Sequence, residues 1–213
     1  MFIGHWAPAL GAAAHPKAPG LGTLFLAGQL VDWAFFAFVL ADVEHLRLSP
    51  GISVMNPMDL YHMPYTHSLA GASMFAAGFA ALIWLATRRG AAAMIGGAVV
   101  VSHWFVDLLV HIPDLTLLGG PPKLGLGLWN HPALAMPLEL GLVTFAFAVL
   151  IRARRPTRRG LVALAVLAAA MLAVQAVNWF GPPPTEPDPA AAIAVFDVYG
   201  VITLIAAWAG HRL

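Results

Sequence analysis

Residues 91–114, AAAMIGGAVVVSHWFVDLLVHIPD, contain the features that decide the fold of this chain. The first eleven residues are apolar or glycine, as in a helix that crosses a lipid bilayer. The second half adds His103, Asp107 and His111 at intervals of four residues. Residues four apart lie on the same face of an α-helix. The stretch therefore predicts a membrane-spanning helix with one polar stripe.

The composition of the whole chain is also that of a membrane protein. Of its 213 residues, 60% are hydrophobic and 10% are charged, whereas about a quarter are charged in a typical soluble domain. The net charge of +1 gives no case for a nucleic-acid partner, and the absence of cysteine excludes disulfides and thiolate ligands. No small-residue cleavage site follows an apolar core near residue 1, so we expect no cleavable signal peptide. The sequence predicts one integral-membrane domain, residues 1–213, with the lipid bilayer as its partner.

Apolar windows long enough to cross a bilayer, which takes about 20 helical residues, occur six times. Glycine, proline and arginine residues separate them. A shorter apolar piece, residues 2–14, precedes them and predicts a half-helix or re-entrant segment. The predicted fold class is all-α, a polytopic membrane helix bundle of about six transmembrane helices. We place these near residues 20–41, 67–87, 91–112, 133–151, 160–180 and 190–210.

The basic residues are distributed unequally between the two ends of this predicted bundle. One set of connections holds only Arg47 and Lys123, together with six acidic residues that include Glu186 and Asp188. Basic residues favour the cytoplasmic side of a membrane. We therefore expect the other set to be cytoplasmic and the long connections, 42–66 and 113–132, to lie outside. The cytoplasmic set contains Lys17, Arg88, Arg89, Arg152, Arg154, Arg155, Arg158, Arg159 and Arg212.

In this orientation, nearly all ionisable residues of the predicted spans lie in the outer half of the membrane. His5 and Asp32 are twelve and fifteen residues from Lys17, so an antiparallel hairpin would bring both to a similar depth. A charge at mid-bilayer costs about 2.5–3.5 kcal/mol, and such residues usually mark a functional site. Besides His5 and Asp32, the ionisable residues placed in the outer half are His67, His103, Asp107, His111, Glu139 and Asp197.

These side chains predict a metal site. Histidine nitrogen and carboxylate oxygen suit Zn²⁺ best, with Mn²⁺ or Fe²⁺ as alternatives. We assign Glu139 and His111 as candidate catalytic groups that accept a proton. Three alternatives stay open: His111 could contact only water or headgroups, His103 with Asp107 could be a hydrogen-bonded pair that joins helices, and Glu139 could do the same. The predicted metal ligands are His5, Asp32, His67, His103 and Asp107.

Four short motifs resemble a widespread bacterial family of multi-spanning inner-membrane proteins, grouped with membrane-bound metal-dependent hydrolases. The resemblance covers about the first two thirds of the chain and implies a bacterial inner membrane and a hydrolytic activity. The family often has Asp-x-Asp where this chain has Gln29 and Asp32, so one carboxylate is missing, which weighs against a second metal ion. The motifs are Gly4-His5, Gln29-Leu30-Val31-Asp32, Pro64-Tyr65-Thr66-His67-Ser68, and Ser102-His103 with Asp107.

Two main functions follow from these features. The first is a membrane-embedded hydrolase whose divalent metal site opens outward and acts on lipid-like esters or phosphoesters. The second is a small ion- or proton-coupled transporter, because buried Asp and His residues also form proton relays. The lack of a clear internal repeat weighs against transport. A third, weaker possibility is a non-catalytic metal-binding or assembly protein.

Overall fold

The computed structural model of the chain describes residues 1–182 and 189–213, so Glu186 and Asp188 lie outside the described residues. Of the described residues, 68% are helical. All helices except α1 are long and apolar enough to cross a membrane, which confirms the predicted all-α polytopic bundle. The helices are α1 (Ala7–Ala13), α2 (Leu21–Leu40), α3 (Leu69–Thr87), α4 (Gly90–Val110), α5 (Pro132–Arg154), α6 (Arg158–Phe180) and α7 (Pro189–Gly210).

The helix bounds differ from the predicted spans by a few residues, for local reasons. Helix α3 begins after Ser68, whose hydroxyl caps the helix by accepting a hydrogen bond from the Gly71 amide. Helix α4 ends at Val110, so His111 has left the helix and adopts extended backbone angles. Pro113 follows two residues later, and the residue before a proline is disfavoured in a helix. His111 can therefore point differently from His103 and Asp107.

The N-terminal segment is a half-helix, as the sequence predicted. A 3₁₀ turn, Ile3–Trp6, leads into α1, and this segment packs against α2, α4 and α5. Four of its side chains are completely buried: Ile3, Trp6, Ala9 and Leu10. The segment therefore belongs to the protein interior rather than to the lipid-facing surface.

Helix α5 holds this half-helix at both ends. The Glu139 carboxylate accepts hydrogen bonds from the amides of Phe2 and Gly4, at 2.7 and 2.9 Å. At the other end, the Arg154 guanidinium donates to the carbonyls of Ala13 and His15, at 2.8 and 3.0 Å. A helix start has free N–H groups and positive potential, and a helix end has free carbonyls and negative potential. The negative Glu139 therefore lies at the positive start of the half-helix, and the positive Arg154 lies at its negative end.

Gly28 lets the N-terminal segment approach α2 closely. A Cβ atom at this position would lie 2.8 Å from the His5 carbonyl oxygen and 3.3 Å from Trp6 Cδ1. The Trp6 indole N–H donates to the Phe25 carbonyl at 3.1 Å, which fixes the contact. His5 is thereby placed next to the part of α2 that carries Asp32.

The long connections contain two small antiparallel hairpins that the sequence analysis did not predict. Strand β1 (His45–Leu48) pairs with β2 (Met58–His62), and β3 (Leu115–Thr116) pairs with β4 (Lys123–Leu124). We call this end of the bundle the loop end and the opposite one the arginine end. The buried ionisable residues of the described chain all lie toward the loop end: His5, Glu44, His67, His103, Asp107, His111, Asp114 and Glu139.

Candidate metal centre

The five predicted metal ligands converge on one place near the loop end. Asp32 comes from α2, His103 and Asp107 from α4, His67 from the residues just before α3, and His5 from the 3₁₀ turn. Asp32 is 15% exposed, and the other four side chains are almost fully buried. The fold therefore brings together donors from four separate segments.

Four ligand atoms are spaced as a metal ion requires. His103 Nε2 lies 3.3 Å from Asp32 Oδ1 and 3.1 Å from Asp107 Oδ2. His67 Nε2 lies 3.5 Å from Asp32 Oδ1 and 3.7 Å from Asp107 Oδ2. Zinc binds nitrogen and oxygen at about 2.0–2.2 Å, so tetrahedral ligand atoms are roughly 3.3–3.6 Å apart. The observed distances are close to these values.

Hydrogen bonds orient both histidines with Nε2 toward this centre. The Nδ1–H of His103 donates to the Gly28 carbonyl at 2.9 Å. His67 Nδ1 lies 2.9 Å from the Thr66 hydroxyl, which donates its own proton to the buried Glu44 carboxylate at 2.5 Å. The hydroxyl must therefore accept from His67 Nδ1–H. An acceptor behind Nδ1 fixes the tautomer and orientation of a metal-binding histidine.

Three atoms of the five predicted ligands are buried without a hydrogen-bond partner: His5 Nδ1, His103 Nε2 and Asp107 Oδ2. The last two face each other at 3.1 Å. An unsatisfied buried polar atom costs about 1–3 kcal/mol and is rare in native structures. When His103 is neutral, both His103 Nε2 and Asp107 Oδ2 carry lone pairs, and one cation between them would satisfy both. The residues present thus fit a divalent metal ion.

These donors describe one metal centre rather than two. Two overlapping triads of potential ligands can be drawn, His5 with His103 and Asp107, and Asp32 with His67 and His103. Both need His103, whose Nδ1 is already engaged by Gly28. Its single free nitrogen can serve only one ion.

The second oxygen of Asp107 collects hydrogen-bond donors instead. His5 Nε2 lies 2.8 Å and the Met1 amino nitrogen 3.0 Å from Asp107 Oδ1. The His5 ring also stacks on His103, with 3.7 Å between ring centroids. In this arrangement His5 orients Asp107 and His103, and its part as a direct ligand stays a prediction.

His111 lies beside the centre and is held by two carboxylates. Its Nδ1 is 2.8 Å from Asp114 Oδ1 and its Nε2 is 3.3 Å from Asp107 Oδ1, while Trp129 packs over the ring. Burial lowers the pKa of His111, but Asp107 and Asp114 outweigh this effect and raise the pKa to about 9. Both carboxylates thus favour the protonated form of the imidazole, and Nδ1–H donates to Asp114. Its role as a proton acceptor stays a prediction.

Glu139 lies against the N-terminal segment. Its Oε1 accepts from the amides of Phe2 and Gly4, and its Oε2 accepts from Gln175 Nε2 at 3.1 Å. These contacts fix the segment that carries His5. The structure therefore gives Glu139 a positioning role, and its predicted catalytic role remains a prediction.

Several supporting residues were not singled out by the sequence analysis. Glu44 and Asp114 are two of the six acidic residues of the outer connections. Glu44 supports His67 through Thr66, and Asp114 contacts His111 directly. Tyr199 on α7 donates its hydroxyl proton to Asp32 Oδ2 at 3.1 Å. Only Thr66 carried a signal, because it precedes His67 in the PYTHS motif. Asp197 lies two residues before Tyr199 on α7 and is exposed.

A cavity of about 740 Å³ opens beside the centre. Residues 50, 51 and 53–58 and Trp129 line it from the loop end. Its polar lining includes Asp32, His67, Asp107, His111 and Glu139, and its apolar lining includes Phe35, Phe36, Val177 and Trp179. The candidate metal centre is therefore accessible to a small molecule.

No family model, no curated protein and no solved structure matches this chain. The resemblance to membrane-bound metal-dependent hydrolases therefore stays a prediction.

Proposed function

We propose that this chain is a membrane-embedded hydrolase that uses one divalent metal ion, with Zn²⁺ favoured over Mn²⁺ or Fe²⁺. Asp32, His67, His103 and Asp107 would hold the ion, with His5 behind Asp107. The observation that carries the proposal is the pair of inward-facing Nε2 atoms, spaced 3.1–3.7 Å from two carboxylate oxygens. A zinc site bound by His and carboxylate beside an open cavity is typical of catalysis, whereas structural zinc is usually held by cysteine.

The chemistry can be divided between the ion and the chain. A bound ion of this kind polarises the scissile group and activates water near neutral pH. The chain supplies the geometry, because Thr66 and Gly28 fix the two histidines and Tyr199 fixes Asp32. His111 lines the cavity and is a candidate to exchange a proton with the reacting groups.

Hydrolysis is favoured over transport by the apolar interior of the arginine end. Where the structure describes the chain, the buried residues of α4 between Gly90 and Val100 are alanine, glycine and valine. The buried residues of α6 before Gln175 are likewise apolar. A proton or ion pathway normally needs polar groups along its length. Among the described residues, the buried His and carboxylate residues instead lie around the cavity and do not continue toward the arginine end.

The chain is a multi-pass membrane protein with six candidate spans. We propose that it resides in a bacterial inner membrane with the arginine end in the cytoplasm. The metal centre then opens on the outer side, where its cavity would receive a lipid-like substrate.

The proposal is tested first by the metal content of the purified protein. We expect about one equivalent of zinc per chain after expression with zinc, and a loss of at least tenfold in His103→Ala. His62→Ala is the matched control, because His62 is exposed on β2 and should leave the metal content unchanged. Near-zero metal in both the wild type and the control would contradict the proposal.

A further inference from the structure

We propose that the substrate is an uncharged acyl compound, an ester or amide with an apolar chain, rather than a phosphoester. This inference rests on the proposed function and concerns the same site. Hydrolysis would form a bond from the water oxygen to the acyl carbon and break the acyl C–O or C–N bond. The leaving oxygen or nitrogen takes up a proton, and the products are a carboxylic acid and an alcohol or amine.

The charge of the cavity lining carries the inference. The lining contains three carboxylates, Asp32, Asp107 and Glu139, and no lysine or arginine in the part of the chain that the structure describes. Residues 183–188, PPTEPD, contain no lysine or arginine either. The lysine and arginine side chains that phosphoryl-transfer sites use to bind phosphate oxygens are therefore missing from this cavity.

The two basic residues of the loop end are engaged elsewhere. Arg47 Nε lies 2.6 Å from Asp59 Oδ2, and Lys123 Nζ donates to the Tyr61 carbonyl at 3.3 Å. Neither residue lines the cavity. They offer no charge to a substrate at the metal centre.

The cationic groups near the site are already paired with carboxylates. The Met1 amino nitrogen lies 3.0 Å from Asp107, and His111 Nδ1 lies 2.8 Å from Asp114. One divalent ion would bring two positive charges to a lining that has three carboxylates. A phosphodiester would then add an uncompensated negative charge in a largely buried site, which is costly. An uncharged acyl group adds none.

The apolar part of the cavity indicates where the chain of the substrate would lie. Val177 lines the cavity and is also 72% exposed on the spanning helix α6, so the cavity reaches the lipid-facing surface. Phe36 and Trp179 also line the cavity. The volume of about 740 Å³ is within the range of sites for small organic molecules, roughly 300–1,000 Å³.

The test uses three matched chromogenic reporters on zinc-loaded protein in detergent: p-nitrophenyl decanoate, decanoyl p-nitroanilide and p-nitrophenyl decyl phosphate. The enzyme-dependent rate is the wild-type rate minus the rate of His103→Ala, with chelator-treated wild type as a second reference that does not depend on the variant folding. We expect release from at least one acyl reporter to exceed both references at least tenfold. Release from the phosphodiester should not exceed them. We also expect p-nitrophenyl butanoate to be cleaved at least tenfold less efficiently than the decanoate.

The possible outcomes separate this inference from the proposed function. Zinc-dependent cleavage of the phosphodiester would overturn the inference and leave the hydrolase proposal standing. No cleavage of any reporter by zinc-loaded protein would count against both. Equal efficiency with butanoate and decanoate would overturn the assignment of the apolar wall to the substrate chain.

Discussion

The residues directly behind the two inward-facing histidines distinguish them from the other histidines of the chain. His67 and His103 each have Nδ1 held by an acceptor, a hydroxyl in one case and a backbone carbonyl in the other. His62, by contrast, is exposed on a hairpin strand. An imidazole whose Nδ1 proton is fixed presents the lone pair of Nε2 in one direction. The orientation of these two rings is therefore built into the fold.

Replacing Thr66 by valine should weaken metal binding without removing a ligand. The isosteric change leaves His67 Nδ1–H without its acceptor and removes the hydroxyl that links it to Glu44. Loss of such a supporting contact typically costs 10–100-fold in metal affinity. The affinity for zinc can be measured by competition with a chromogenic chelator.

Thr66→Ser is the control for this prediction, because it keeps the hydroxyl. Its zinc affinity should remain within about threefold of the wild type. If Thr66→Val binds zinc as tightly as Thr66→Ser, the hydroxyl does not orient His67. The proposed role of Glu44 in supporting His67 through this hydroxyl would then be contradicted as well.

The predicted ligands could be found from the sequence because ionisable residues in apolar helices are rare. His103 and Asp107 are marked by their spacing in an apolar helix, and Asp32 by its place in a span. Glu44 and Tyr199 carry no such mark, since they reach their partners from 22 and 167 residues away. Contacts of this kind depend on how loops and helices pack, which a local pattern does not contain.

At the scale of elements, the half-helix is stabilised by polar contacts with α5 in addition to its own apolar surface. Its first amides donate hydrogen bonds to Glu139, and its last carbonyls accept them from Arg154. Helix lengths could be predicted from hydropathy because a span needs about 20 apolar residues. The β1–β2 and β3–β4 hairpins could not, since strands of two to five residues are too short to show an alternating pattern.

Substitutions of Glu139 can separate a positioning role from a catalytic one. Glu139→Gln keeps an oxygen that can accept from the Phe2 and Gly4 amides, so thermal stability in detergent should fall only slightly. Glu139→Ala leaves both amides unsatisfied, at about 1–3 kcal/mol each, and should unfold at a clearly lower temperature. We expect the reporter hydrolysis rate of Glu139→Gln to stay within about tenfold of the wild-type rate.

The opposite pattern would identify Glu139 as a proton acceptor. In that case Glu139→Gln would keep its stability and its zinc but lose hydrolysis by a factor of about 10²–10⁴, the usual contribution of a general acid or base.

At the scale of the whole molecule, the two ends of the bundle differ in chemistry. The arginine end has short connections and an apolar interior, whereas the loop end has long connections, hairpins and the buried His and Asp residues. Insertion of such a chain follows its basic residues. The same asymmetry that sets the orientation would therefore decide which side of the membrane supplies the substrate.

The orientation can be tested with single cysteines, because the chain has none of its own. Val54→Cys places a thiol at a position 68% exposed in the loop-end connection, and Gly90→Cys places one at the arginine end, where a Cβ meets no neighbouring atom within 4 Å. With the loop end outside, a membrane-impermeant maleimide should label Val54→Cys in intact cells. Gly90→Cys should react only after permeabilisation. The reverse labelling would place the metal centre toward the cytoplasm, and substrate would then have to reach the cavity from that side.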